Sequence, residues 1–125
     1  MAEKLFLGVE HIGIKAADIE QAVKFYTEML GFSIVNRMKP GAVELVFLSL
    51  GGSVVELVEA GEEFKGLDGV VNHLALHVSD IFAAVDRLRQ HNVECLTAEP
   101  VAIGANRYNF FFRGPSGERI ELFQG

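Results

Sequence analysis

VEHIGIKAADIEQAV (residues 9–23) returns 62 positions later as VNHLALHVSDIFAAV (residues 71–85), and this recurrence decides the fold. Val9/Val71, His11/His73, Asp18/Asp80, Ile19/Ile81, Ala22/Ala84 and Val23/Val85 are identical pairs. The ends of the halves also correspond: SVVELV (53–58) resembles ERIELF (118–123), which matches Glu56 to Glu121 at an offset of 65. A repeat of this length marks a duplicated supersecondary unit, so the chain reads as two modules, about 5–60 and 69–125, within one domain over 1–125.

Each module has the same order of elements. Residues 7–16 alternate without a breaker and read as a strand. Asp18 is a natural helix cap, with Gln21 three positions on completing a capping-box pattern. Ile19, Ala22, Val23, Tyr26 and Leu30 then fall at helical spacing, and Gly31 stops the helix. Strands follow at 32–38, 43–50 and 53–59, separated by a Pro40-Gly41 turn and a Gly51-Gly52 hairpin. After a polar connector (60–69), the second module gives a strand at 70–78 and a helix capped by Asp80 that runs to about His91. Strands at 93–98 and 106–113, the GPSG turn (114–117) and a strand at 118–124 close it. The expected class is α+β, with two βαβββ modules whose curved mixed sheets form a cup.

Composition narrows the function. The chain has 125 residues, half of them hydrophobic, enough for one substantial core. Its 17 acidic against 11 basic residues give a net charge of −6, and no basic stripe exists to displace counterions from a phosphate backbone. A nucleic-acid partner is not expected. Cys95 is the one cysteine, which precludes an intramolecular disulfide or a zinc ribbon and reads as a small buried filler. The first residues lack the apolar run of a signal peptide, and no stretch approaches the length of a membrane span. A cytoplasmic protein without a membrane partner is expected.

Strand alternation sorts the polar residues. Ile12 and Ile14, Leu74, Leu76 and Val78, Val55 and Leu57, and Ile120 and Leu122 take the helix-facing side. His11, His73, Glu56 and Glu121 take the other, which lines the cup. A carboxylate set among apolar neighbours must be paired, protonated or bound to a cation. No lysine or arginine recurs at matching positions to pair them, whereas two histidines do. Two imidazoles and two carboxylates suit a divalent ion, so His11, Glu56, His73 and Glu121 are the candidate metal ligands. Asp18 and Asp80 read as caps, and Phe110, Phe111 and Phe112 as core and cup wall.

With HIGI…D…FYTEMLGF in the first half and GPSGERIELFQ at the end, the paired His…Glu modules resemble the vicinal oxygen chelate superfamily. That group includes glyoxalase I (lactoylglutathione lyase), methylmalonyl-CoA epimerase, extradiol dioxygenases, fosfomycin-resistance transferases and bleomycin-binding proteins. The His-Glu-His-Glu set is most similar to that of bacterial glyoxalase I. Lys15 stands where that enzyme usually carries an arginine for a glutathione carboxylate, and Ala60 where it often carries asparagine.

The resemblance implies a metal-dependent lyase or isomerase that moves a proton next to a carbonyl through an enediolate stabilised by the metal. For the hemithioacetal of methylglyoxal this yields an S-lactoyl thioester. It implies Glu121 as base, with Glu56 as its counterpart on the other side, and one divalent ion per site: zinc or nickel first, cobalt or manganese otherwise. Lys15, His77 and Arg107 are candidate substrate contacts, a thiol adduct of a 2-oxoaldehyde the candidate substrate, and a homodimer the implied assembly. The alternatives are a methylmalonyl-CoA epimerase-like enzyme and a non-catalytic small-molecule binding or resistance protein. An iron-dependent ring-cleaving dioxygenase is a further reading, disfavoured by the fourth ligand.

Overall fold

Alternating apolar residues give each half of the chain a sheet with one oily side, and in the computed structural model, which describes residues 10–64, 68–69 and 71–125, those sides meet in a shared core. The first half runs β1 (Ile12–Ala16), α1 (Ile19–Lys24), β2 (Ser33–Met38), β3 (Leu45–Leu50) and β4 (Ser53–Glu59). The second runs β5 (Leu74–His77), α2 (Ile81–Gln90), β6 (Val101–Gly104), β7 (Arg107–Arg113) and β8 (Arg119–Gln124). Each half forms a four-stranded mixed sheet, ordered β1-β4-β3-β2 and β5-β8-β7-β6, and neither sheet closes. β1 lies parallel to β4 and β5 parallel to β8, while the other pairings are antiparallel.

Local chemistry explains the elements. Asp18 accepts the Gln21 backbone N–H at 3.0 Å, and Asp80 accepts those of Phe82 and Ala83, so both expected caps are present. Gly51 and Gly52 both carry positive φ (57° and 85°), which the tight β3–β4 hairpin requires. Val46, Leu48, Val55 and Leu57 of one sheet and Phe110, Phe112, Ile120 and Leu122 of the other are buried, as the alternation requires. Ile14, Leu74, Leu76 and Val78 on the same sides are partly buried, and Ile12, which opens β1, remains 42% exposed. The expected strands at 7–16 and 70–78 are shorter, and residues 7–9, 65–67 and 70 fall outside the described residues.

Two expectations need correction. The segment 93–98 is not a strand: only Cys95 forms a β-bridge, to Phe112, and the backbone N–H groups of Leu96 and Thr97 both turn to the one Phe111 carbonyl. Pro100, which has no N–H to give, ends it, and regular pairing resumes only in β6, against Tyr108 and Asn109. Cys95 is half-buried, not buried. The first helix also changes character after Lys24, because Phe25–Met29 form a π-helical turn in which the Leu30 N–H reaches the Phe25 carbonyl at 3.2 Å. Among the described residues no helix is long and apolar enough to cross a membrane.

The π turn seats Tyr26, which is completely buried, against the second half. Its hydroxyl donates to Glu118 Oε2 at 2.8 Å, and the backbone N–H of Ala17 donates to Ser116 Oγ at 2.9 Å. The 114–118 turn of one module is thus docked on the strand-to-helix junction of the other. Burial first, and then the Glu118 charge, push the Tyr26 phenol well above its usual range. Because the folded phenol titrates higher than the unfolded one, its contribution to stability is full below about pH 10 and is lost as pH rises further. Tyr26→Phe is expected to cost about 1.5–3 kcal/mol at neutral pH and to flatten the alkaline loss of stability. Thermal melts of both proteins between neutral pH and pH 11 check both effects.

Candidate metal centre

The four candidate ligands form two like pairs. Glu56 sits in mid-β4, in register with Gly13 on one side and Phe47 on the other. Glu121 sits in mid-β8 between Ala75 and Phe111. His11 and His73 lie at the residue just before β1 and β5, outside the strands proper, and each turns its ring to the glutamate of its own sheet. His11 Nε2 is 3.3 Å from Glu56 Oε1, and His73 Nε2 is 2.9 Å from Glu121 Oε1. The glutamate side chains are 16% and 12% exposed and the histidines about a third, so the carboxylates are deep and the imidazoles stand at the mouth.

The surroundings repeat as well. The His11 ring meets Phe47 edge to face at 5.4 Å and 86°, and the His73 ring meets Phe111 at the same distance and angle. His11 Nδ1 donates to Glu10 Oε1 at 3.0 Å, and His73 Nδ1 donates to Asn72 Oδ1 at 2.7 Å. Such a bond fixes the tautomer and leaves Nε2 as the basic nitrogen. Each Nε2 then faces a carboxylate oxygen, two electron-pair donors that require positive charge between them, from a proton or a cation. The hydrogen bond that His11 donates to Glu10 raises its imidazole above the ordinary value, and the charge of Glu56 adds to this. The donor chemistry of both pairs fits a divalent ion.

The expected quartet is not assembled inside one chain. Among the described residues no three His, Cys, Asp or Glu side chains meet as a metal-holding group. Each sheet carries half of the set because the two halves share a core on their helix sides, which leaves each ligand pair on its own outer face.

The other candidates are dispersed. Lys15 lines a cavity of about 490 Å³ together with Gly13, Val71, Asn72, His73 and Arg119. His77 ends β5, exposed, with its ring 6.2 Å from that of Phe123. Arg107 is exposed at the first position of β7. Sequence reasoning missed Glu10 and Asn72, whose signal was a hydrogen-bond acceptor preceding each histidine at the same 62-residue offset. Arg119, two positions before Glu121, lies on the same face of β8, as strand alternation expects.

Comparison with known proteins agrees with this architecture. The model of the Glyoxalase/Bleomycin resistance protein/Dioxygenase superfamily matches residues 8–122. A probable lactoylglutathione lyase of Vibrio parahaemolyticus is 28% identical, over 91% of this chain and 88% of the relative. The mitochondrial methylmalonyl-CoA epimerase of Homo sapiens is 30% identical, over 93% of this chain and 73% of the relative. The crystal structure of the trypanothione-dependent glyoxalase I of Leishmania major superposes with a TM-score of 0.78 at 25% identity, covering 95% of this chain and 87% of that one. Two duplicated modules, each with a mixed sheet and a His–Glu pair on its outer face, together with a family match spanning nearly every residue, establish that the chain belongs to the Glyoxalase/Bleomycin resistance protein/Dioxygenase superfamily.

Proposed function

We propose that this protein is a cytoplasmic homodimeric lyase or isomerase of the glyoxalase I type, which moves a proton between the two carbons of a 2-oxoaldehyde–thiol adduct. The observation that carries the reading is the pair of matched His–Glu half-sites, each with its imidazole oriented by a neighbouring acceptor. His11 and Glu56 of one chain, facing His73 and Glu121 of a second, would supply the two nitrogens and two oxygens for one divalent ion, zinc or nickel. When bound, that ion supplies Lewis-acid stabilisation of the oxyanion formed next to the abstracted C–H.

The protein's own residues do the rest. Glu121 is the base: its carboxylate takes the proton from the thiol-bearing carbon and returns it to the neighbouring carbon, while the hydroxyl proton passes from the oxygen on the first carbon to that on the second, so the adduct becomes a 2-hydroxy thioester with no net redox change. Glu56 holds the opposite side, and Phe47 and Phe111 meet the imidazoles edge to face. Lys15, a candidate substrate contact, lines a cavity together with His73. His77 and Arg107, the other two candidates, lie in β5 and β7 of the second sheet.

The test is metal analysis of the purified protein followed by turnover of methylglyoxal with several thiols. One divalent ion per chain and thioester formation are expected, and loss of both after chelation with recovery on adding zinc or nickel. A protein that holds the ion but turns over no adduct would overturn the reading. The 30% identity to human methylmalonyl-CoA epimerase favours one alternative, proton exchange next to the thioester of a branched diacid. Deuterium uptake from solvent by such a thioester distinguishes the two.

A further inference from the structure

The two half-sites match in ligand type and in the phenyl ring that meets each imidazole, and they part at the residue behind it. His11 Nδ1 donates to Glu10 Oε1 at 3.0 Å, whereas His73 Nδ1 donates to Asn72 Oδ1 at 2.7 Å. Glu10 and Asn72 hold the same place in the repeat, so an acid in one module stands where an amide stands in the other. Both side chains are exposed, and neither belongs to the core.

In one respect the two acceptors act alike. A carboxylate offers an imidazole only lone pairs, and the amide presents its oxygen, so each Nδ1 carries the hydrogen and each Nε2 keeps its lone pair. That lone pair is turned to the glutamate of its own sheet, 3.3 Å from Glu56 Oε1 and 2.9 Å from Glu121 Oε1. In charge they differ. A hydrogen bond to an ionised acceptor is roughly twice as strong as one between neutral groups, and it lends electron density to the ring, which becomes the more basic ligand. An amide orients the ring without lending charge. Cations on the glutamate faces occur in both modules, Lys15 on the first and Arg119 on the second. Arg113, opposite Arg119, is matched by Asp68 at 2.6 Å. Among the groups that touch the ligand imidazoles, the difference lies at Glu10 and Asn72.

We infer that Glu10 and Asn72 are unequal positioning residues: both aim an imidazole at the shared ion, and Glu10 alone strengthens it, so His11–Glu56 is the firm half of the centre and His73–Glu121 the loose half. This rests on the divalent centre proposed above. Two consequences follow. Removing His11 costs more metal affinity than removing His73, and an acid placed at position 72 makes the two halves alike.

The experiment measures zinc affinity of the full chain and its variants by competition with a chromophoric chelator. It is run in about 1 M salt, where screening acts within about 3 Å, so that a charge in contact with the ring still counts and one acting through space does not. Glu10→Ala is expected to weaken zinc binding about 10–100-fold. Glu10→Gln, which keeps an acceptor oxygen and loses the charge, should recover part of that loss, and Asn72→Asp should bind zinc severalfold more tightly than the wild type. Asn72→Ala should lose less than Glu10→Ala, and His73→Ala less than His11→Ala. If Glu10→Gln and Asn72→Asp both bind as the wild type does, or if the alanine variants at positions 10 and 72 lose equally, the inference is overturned. Turnover of the methylglyoxal adducts, followed alongside, separates it from the proposed reaction. The expected order of affinities without turnover keeps the unequal halves and removes the reaction, whereas turnover with affinities indifferent to positions 10 and 72 does the reverse. A wild-type chain that holds no zinc overturns both.

Discussion

Replacing Glu121 with glutamine is expected to reduce turnover by about 10²–10⁴-fold while the protein retains its divalent ion. Glutamine keeps the shape of the side chain and an oxygen that can still face the cation, but an amide does not take up a proton near neutral pH. The residue is well placed for such a change to be read cleanly. Glu121 lies in mid-strand with Ala75 and Phe111 in register on either side, and Ile120 and Leu122, which flank it in the chain, are buried. The strand is therefore held independently of the carboxylate. Metal content by mass spectrometry together with steady-state rates separates the outcomes: a fully active variant removes Glu121 as the base, and a variant that loses its ion with its activity reduces the residue to a ligand.

The second large effect is complementation. His11→Ala and His73→Ala each delete one imidazole from a four-ligand set, and each variant alone should be inactive. If every centre joins the first half of one chain to the second half of another, a mixed pair contains one centre lacking both imidazoles and one centre intact. Random re-association of equal amounts then restores about a quarter of wild-type activity, because about half of the pairs are mixed and one of their two centres works. A mixture that forms mixed pairs, as seen by native mass spectrometry, and stays inactive would refute a centre built from two chains.

Much of this arrangement was legible before any coordinates. Val55, Leu57, Ile120 and Leu122 alternate with Glu56 and Glu121, and period-two alternation translates directly into sheet faces. The caps at Asp18 and Asp80 rest on side chains that satisfy helix N–H groups a few residues away, and such local chemistry is readable in any context. What could not be read depended on partners far along the chain. Residues 93–98 alternate like a strand, but whether they pair is decided by the edge of β7, where only Cys95 finds a bridge. The π turn at Phe25–Met29 has no sequence mark. It accompanies the docking of Tyr26 on Glu118, 92 positions away.

The centre shows the same division. Repetition identified His11, Glu56, His73 and Glu121 and the side on which they lie, and in each sheet the histidine and glutamate do meet. Repetition cannot tell how two rigid sheets are set against each other. That follows from which oily sides share a core, here the helix sides of both, and the outward pairs are left for another surface to complete.

The docked 114–118 turn has a mechanical consequence. Glu118 stands three residues ahead of Glu121, and Ala17 follows directly on the strand that begins beside His11. Two hydrogen bonds and the buried Tyr26 ring therefore tie the segment just ahead of β8, the strand of Glu121, to the β1–α1 junction of the other module.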